Sequence, residues 1–334
     1  MIFRIKTDKK AEEREKLPRG METIINGLKS GLRTTWVLGK VVFPITFLMT
    51  LLSHTPVLGW IISFFKPIMG WIGLPGEAAI PLVLGNALNL YAGIGAMLSL
   101  PLTVKSVFIL AMMLSFSHSL PIETTLAKKV GVNPWLMLGT RLTLAFASAL
   151  FLSSFWHGGN EMARYGLVEA TQTTAAGFLP VLWLGMVKAF LGVFQIALIV
   201  FPLMVGIQAL KDWSVLPRLT RFMAPVTGLL GVARHSAVML LAGLLFGLAY
   251  GAGVMIEAVK EEPLSKRDLH LLLLFLVACH SVVEDTLIFV PLGIPVWGLL
   301  LIRVIVAFIV TILAARIVDR LWRNKIGKGE AYEV

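Results

Sequence analysis

Apolar stretches of membrane-spanning length recur along the chain. Runs at 34–53, 79–99, 134–155, 236–256 and 296–315 meet or exceed the roughly 20 apolar residues that cross a bilayer, and 177–209 is longer still. With the shorter apolar stretches between them, the chain divides into two series of five hydrophobic elements. The first is 34–53, 57–74, 79–99, 104–120 and 134–155; the second is about 186–209, 216–232, 236–256, 269–290 and 296–315. Ahead of the first series, Met21, Ile24, Ile25, Leu28 and Leu32 recur at helical spacing, with Glu22, Lys29 and Arg33 on other faces. That pattern predicts an amphipathic helix lying on a membrane surface. The pattern as a whole predicts an all-α polytopic membrane protein.

The two series are copies of one another. His118-Ser119, Glu123-Thr124, Gly131, Trp135 and Arg141 return 162 residues later as His280-Ser281, Asp285-Thr286, Gly293, Trp297 and Arg303. Upstream the offset is 158: Phe43-Pro44 matches Phe201-Pro202, Pro67 matches Pro225, and Gly85, Gly93 and Gly95 match Gly243, Gly251 and Gly253. A four-residue insertion in the polar loop Glu257–Asp268 accounts for the change of offset. A repeat this long is a duplicated half-domain rather than a solenoid unit. It divides the chain into a cytoplasmic N-terminal segment (1–33), a first repeat (34–155), a linker loop (156–175), a second repeat (176–315) and a basic tail (316–334). Five crossings per repeat would invert the second copy relative to the first. If the proline-containing second element, with Pro67 or Pro225 at its centre, does not cross, four crossings would leave the copies parallel.

Charge bears on orientation. The first 33 residues hold nine Lys or Arg with no apolar leader core, so they are not read as a cleaved signal peptide. Residues 316–334 are also basic, while 156–174 carries only Arg164. The positive-inside rule then places both termini in the cytoplasm of a prokaryotic inner or plasma membrane and the linker outside. The segment after the first long helix holds Lys66 alone, whereas its counterpart holds Lys211, Arg218, Arg221 and Arg234, the opposite bias that inverted copies produce. With 15% charged residues and a mean hydropathy of +0.83, the net charge of +11 points to the lipid surface and not to nucleic acid. Cys279 is the single cysteine, so no internal disulfide forms. A homo-oligomer is left open.

The repeated polar residues lie inside the apolar runs, where ionisable groups are costly and mark functional sites. Ser119 and Glu123 are four apart, as are Ser281 and Asp285, so each pair shares a helical face; Pro121 favours a break in the first copy. Glu284 has Ile122 as its counterpart, so the copies differ chemically. The candidate binding residues are Asn86, Asn89, Tyr91, His118, Ser119, Glu123, Thr124, His280, Ser281, Glu284, Asp285 and Thr286. Arg141 and Arg303, buried within their helices, are read as counter-ions to Glu123 and Asp285. Three roles fit the cluster: moving a coupling proton or sodium ion, hydrogen-bonding a polar solute, or coordinating a divalent metal through His118, His280, Glu123, Glu284 and Asp285. A purely structural polar network is the fourth reading. No Walker loop, His-Glu-x-x-His or Gly-x-Ser-x-Gly is present, so no enzyme and no cofactor is expected.

The element Phe65-Lys-Pro67-Ile-Met-Gly70 through Leu74-Pro-Gly76, followed by Gly85, Tyr91, Gly93 and Gly95, resembles the nucleoside recognition or Gate domain family. Its second copy, Ala224-Pro225 through Gly243, Tyr250, Gly251 and Gly253, and the stretch Leu264-Ser-Lys-Arg-Asp268 resemble it too. Gate domains occur in spore maturation proteins A and B, in concentrative nucleoside carriers and in the membrane part of ferrous iron transporter B. The chain is similar to a fusion of two such domains over about 80–300. The resemblance implies a secondary, ion-coupled transporter for a small polar, nucleoside-like solute, bound between the repeats. It also admits a ferrous-iron-like permease and a non-transporting scaffold or sporulation factor. The iron transporters carry a GTPase, and no nucleotide-binding loop is found here.

Overall fold

The computed structural model describes residues 18–168, 177–213, 215–248 and 264–326. Among them, all regular elements are helical. The first copy forms α1 (Arg19–Leu52), α2 (Pro56–Trp71), α3 (Ala79–Ala87), α4 (Leu90–Met97), α5 (Val104–Ser117), α6 (Leu120–Val130) and α7 (Pro134–Phe155). The second forms α8 (Phe178–Asp212), α9 (Leu216–Leu230), α10 (237–248), α11 (Lys266–Ala278), α12 (Val282–Leu287) and α13 (Val296–Ile326). A short 3₁₀ turn precedes α3 and α10 alike, at Gly76–Ala78 and Arg234–Ser236.

The long helices α1 and α8 run antiparallel. Gly27 faces Val205, Gly31 faces Phe201, Gly39 faces Val193 and Gly185 faces Phe47, so the partner number falls as the α1 number rises. Small residues at helical spacing let the two backbones approach closely. Because α1 and α8 are equivalent in the two copies, antiparallel contact means that the repeats are inverted. The amphipathic segment 20–33 is not a separate surface helix. It continues into α1 without a break because Gly27 and Gly31 seat it against α8, and Thr23 Oγ1 donates to Asp212 at 2.7 Å.

The sequence-expected third span, 79–99, is a hairpin. The chain turns at Leu88–Asn89, and Gly93 of α4 folds back onto Pro81 and Gly85 of α3. Asn89 caps α4 by accepting from the Ala92 N–H at 3.0 Å, as an Asn at the N-cap does. On the α4 side, Thr46 of α1 donates to the Gly95 carbonyl (3.0 Å) and Thr50 meets Ser99 (3.3 Å), so α4 runs with α1 and α3 against it. The hairpin therefore enters and leaves on one side. Its preceding element α2 meets the 76–87 segment at 93° and exposes Trp60, Phe64 and Trp71. Among the described residues the spans are α1, the broken pair α5–α6 and α7 in the first copy, and α8, α11–α12 and α13 in the second; the expected span 236–256 lies partly outside the described residues. These are the six helical segments long and apolar enough to span. Inversion rests on the antiparallel contact of α1 with α8.

α5 and α11 form the centre, with every residue from Ser106 to Ser117 and from Leu271 to Ala278 buried. A helix apolar on all sides is one buried on all sides. The outer helices show the opposite pattern. On α13, Leu301, Ile305, Ile309, Leu313 and Ile317 are exposed at four-residue spacing, a stripe for lipid. The segment 156–168 closes one end of the bundle: Glu161 accepts from the Val104 N–H (2.9 Å), and buried Tyr165 donates to Leu100 (2.8 Å). Burial pushes the Tyr165 phenol above its ordinary pKa, so it remains a donor. At the other end Arg267 holds Asp319 at 2.8 and 3.0 Å and Gly231 at 2.7 Å. That pairing keeps 316–326 within α13 instead of a loose tail; residues 327–334, like 1–17 and 169–176, lie outside the described residues.

Candidate functional site

The repeated motif sits where two spans break. α5 gives way to α6 at Ser119 (φ 53°, ψ 37°), and α11 to α12 at Ser281 (φ 46°, ψ 44°). These are the only non-glycine residues with positive φ among the described residues. The left-handed region costs an L-residue roughly 1–2 kcal/mol, and such strain gathers at functional sites. Pro121 does not cause the break: it lies in the first turn of α6, where its missing N–H is not needed, and the second copy breaks at the same place without it. What holds both breaks is the neighbouring helix, α3 in the first copy and α10 in the second. The Ser119 N–H donates to Gly85 and the Ser281 N–H to Gly243, both at 3.0 Å.

The breaks free backbone carbonyls inside the membrane, where each needs a partner. The arginines supply them. Arg141 donates from Nε to Phe116 (2.8 Å) and from Nη2 to His118 (2.5 Å); Arg303 donates from Nη2 to His280 (2.7 Å). The same Nη2 atoms reach Glu123 at 3.0 Å and Asp285 at 3.3 Å. Each arginine is therefore the expected counter-ion and, beyond that expectation, the cap of the interrupted helix. Both are essentially inaccessible, at 1% and 0% exposure, so removing either partner would strand a buried charge.

His118 and His280 meet across the pseudo-two-fold axis, with ring centroids 5.2 Å apart. Each ring's Nδ1 is bonded to the carbonyl four residues earlier, Leu114 at 2.7 Å and Leu276 at 2.9 Å. The Nε2 atoms then converge on one oxygen of Glu123, at 3.2 and 3.4 Å, and His280 lies 3.9 Å from Asp285. Tyr91 of the first hairpin donates to Glu284 of the second broken span. A cavity of about 220 Å³ lies against these groups, and its walls include Val37, Leu38 and Val41 of α1.

Of the sequence candidates, Asn89, Tyr91, His118, Ser119, Glu123, His280, Ser281, Glu284 and Asp285 line this cavity. Asn86, Thr124 and Thr286 do not. Asn86 is one turn back from the hairpin tip, and the hydroxyls of Thr124 and Thr286 are buried off the cavity wall without a hydrogen-bond partner among the described residues. Phe246, Gly247 and Ile122 line it and were not among the candidates. Gly247 was findable: with the 158-residue offset it is the counterpart of Asn89, and its φ of +72° is one that glycine adopts freely.

His118, His280 and Asp285 each bring a donor atom within 4.8 Å of the others. Both Arg-paired carboxylates are committed, however, and a divalent ion would sit beside two fixed guanidiniums. Cys279 is buried and is not part of the cavity wall.

The profile of the family described as nucleoside recognition, Gate, matches residues 35–133 and 193–295, once in each repeat. The chain is 53% identical over 302 residues to the membrane protein YvoD of Bacillus subtilis (strain 168), covering 90% of this chain and 97% of that one. No solved structure matches it.

Proposed function

The chain belongs to the Gate, or nucleoside recognition, family of membrane proteins, and from that premise we propose that it is a secondary transporter for a small polar solute, nucleoside-like in character. The observation that carries this reading is the pair of broken spans. They place two histidines, three carboxylates and two serines on a buried cavity at the junction of inverted repeats, the arrangement in which transporters hold substrate at mid-membrane. At about 220 Å³ the cavity is below the roughly 300–1,000 Å³ of drug-sized pockets, which suits a compact solute. Transport, not chemical conversion, is the activity, and a proton or sodium ion is the coupled ion. The end bearing Lys128, Lys129, Lys211, Arg267 and Arg316 faces the cytoplasm, and the 156–168 segment faces outward.

The test is uptake of labelled nucleosides into proteoliposomes with and without an imposed proton gradient. The expected result is gradient-stimulated uptake that Glu123→Gln and Asp285→Asn both abolish, together with its pH dependence. Uptake and pH profile unchanged in both variants would remove the cluster from the mechanism. The absence of any flux would favour a scaffold whose polar network is structural.

A further inference from the structure

Between the two copies the site is symmetric except at one pair. Glu123 with Arg141 mirrors Asp285 with Arg303, His118 mirrors His280, and Ser119 mirrors Ser281. Each mirrored half pairs one carboxylate with one guanidinium. Glu284 stands outside this scheme. Its counterpart is Ile122, and the counterpart of Tyr91, the residue that bonds it, is Ala249. No Arg, Lys or His lies within ion-pair distance of Glu284 among the described residues. The neighbouring ionisable groups are His118, His280 and Asp285, and the Ser281 side chain bonds the Glu284 carboxyl as well; the cavity wall carries three carboxylates and two imidazoles, and neither guanidinium is part of it. Asn89, Ser119 and Ser281 add polar groups to the wall, and Val37, Leu38, Val41, Ile122 and Phe246 give it an apolar side.

An unpaired carboxylate at this depth is expensive unless a positive charge joins it. We propose that the cavity binds one monovalent positive charge, held by Glu284 with the Tyr91 hydroxyl beside it. This rests on the transporter reading of the same cavity and specifies its ligand. The symmetric residues build and hold the broken helices; the asymmetric pair recognises a ligand that has a charged end and an apolar body. The charge belongs either to the solute itself, as a protonated amine, or to a coupled sodium ion.

Thermal shift of the purified full-length chain tests this with benzylamine and its uncharged counterpart benzyl alcohol, and with NaCl against KCl at equal ionic strength. A ligand of the folded state raises the melting temperature with its concentration. The expected result is a shift with benzylamine and none with benzyl alcohol, weakened about tenfold or more in Glu284→Gln and retained in Glu284→Asp. A sodium-specific shift lost in Glu284→Gln supports the same site with the coupled ion as its source. Two results overturn the proposal. One is stabilisation by uridine or benzyl alcohol with no response to any cation. The other is a pH-dependent melting temperature, abolished in Glu284→Gln, with no cation response, which would put a proton there. Either would leave gradient-driven uptake intact, whereas loss of the transporter reading itself would show as absent flux. Tyr91→Phe, which keeps the ring, should weaken the benzylamine or sodium shift without lowering the unliganded melting temperature; an unchanged shift would remove Tyr91 from the site.

Discussion

At the scale of single residues, the most consequential groups are the two arginines. Each closes a broken helix by holding its free carbonyls and neutralises a carboxylate at the same time. Arg141→Met therefore removes two functions and leaves Glu123 unpaired. Breaking one side of a buried pair costs about 3–5 kcal/mol, so the variant should melt well below the parent, and Arg141→Met with Glu123→Gln should recover part of the loss. A double variant no more stable than the single one would mean that the carbonyl contacts outweigh the ion pair. The serines are a second residue-scale case. Ser119→Gly and Ser281→Gly should be tolerated because glycine adopts positive φ freely. Ser119→Val should cost at least the roughly 1–2 kcal/mol of the left-handed region, read as a lower denaturation midpoint. Equal midpoints for the Gly and Val variants would place the break elsewhere.

At the scale of elements, the close approach of α1 and α8 depends on Gly27, Gly31 and Gly185. A methyl group on Gly27 would meet the Val205 backbone at 2.6 Å, whereas Gly59 faces open space. Gly27→Ala should lower the melting temperature more than Gly59→Ala; the same shift for both would deny that α1 and α8 are in close contact. The helices that cross were readable because apolar runs of spanning length have one good explanation. Their internal breaks were less so. The repeated His-Ser pair pointed to the right place, but Pro121 pointed to the wrong cause, since a proline in a first turn is benign. The 79–99 run read as a span because its composition is apolar throughout. Its hairpin is set by a tertiary contact, Ser119 onto Gly85, and by the Asn89 cap, and no window of hydropathy registers either. The site was legible to the extent that duplication marked it. His118, His280, Glu123 and Asp285 were found through the repeat, Gly247 was missed because a glycine carries no chemistry of its own, and the Arg-to-carbonyl bonds follow only from knowing where the helices break.

At the scale of the molecule, two inverted repeats flank one asymmetric cavity. Inversion makes a direct prediction in a Cys279→Ser background. A cysteine at Asn133 should react with a membrane-impermeant maleimide only from inverted vesicles, and one at its counterpart Pro295 from outside intact cells; both reacting from one side would contradict inverted repeats. Symmetric halves around a mid-membrane site are what an alternating carrier requires, because exchanging the two conformations opens the same site to either side. The measurement that bears most directly on this is the two-sided accessibility of Ile122→Cys, on the cavity wall, in the same cysteine-free background. The account predicts alkylation by an impermeant reagent from both faces of the membrane, slowed by a transported solute. Labelling from neither face, or from one face alone under all conditions, would contradict a transporter and leave a scaffold with a sealed polar core.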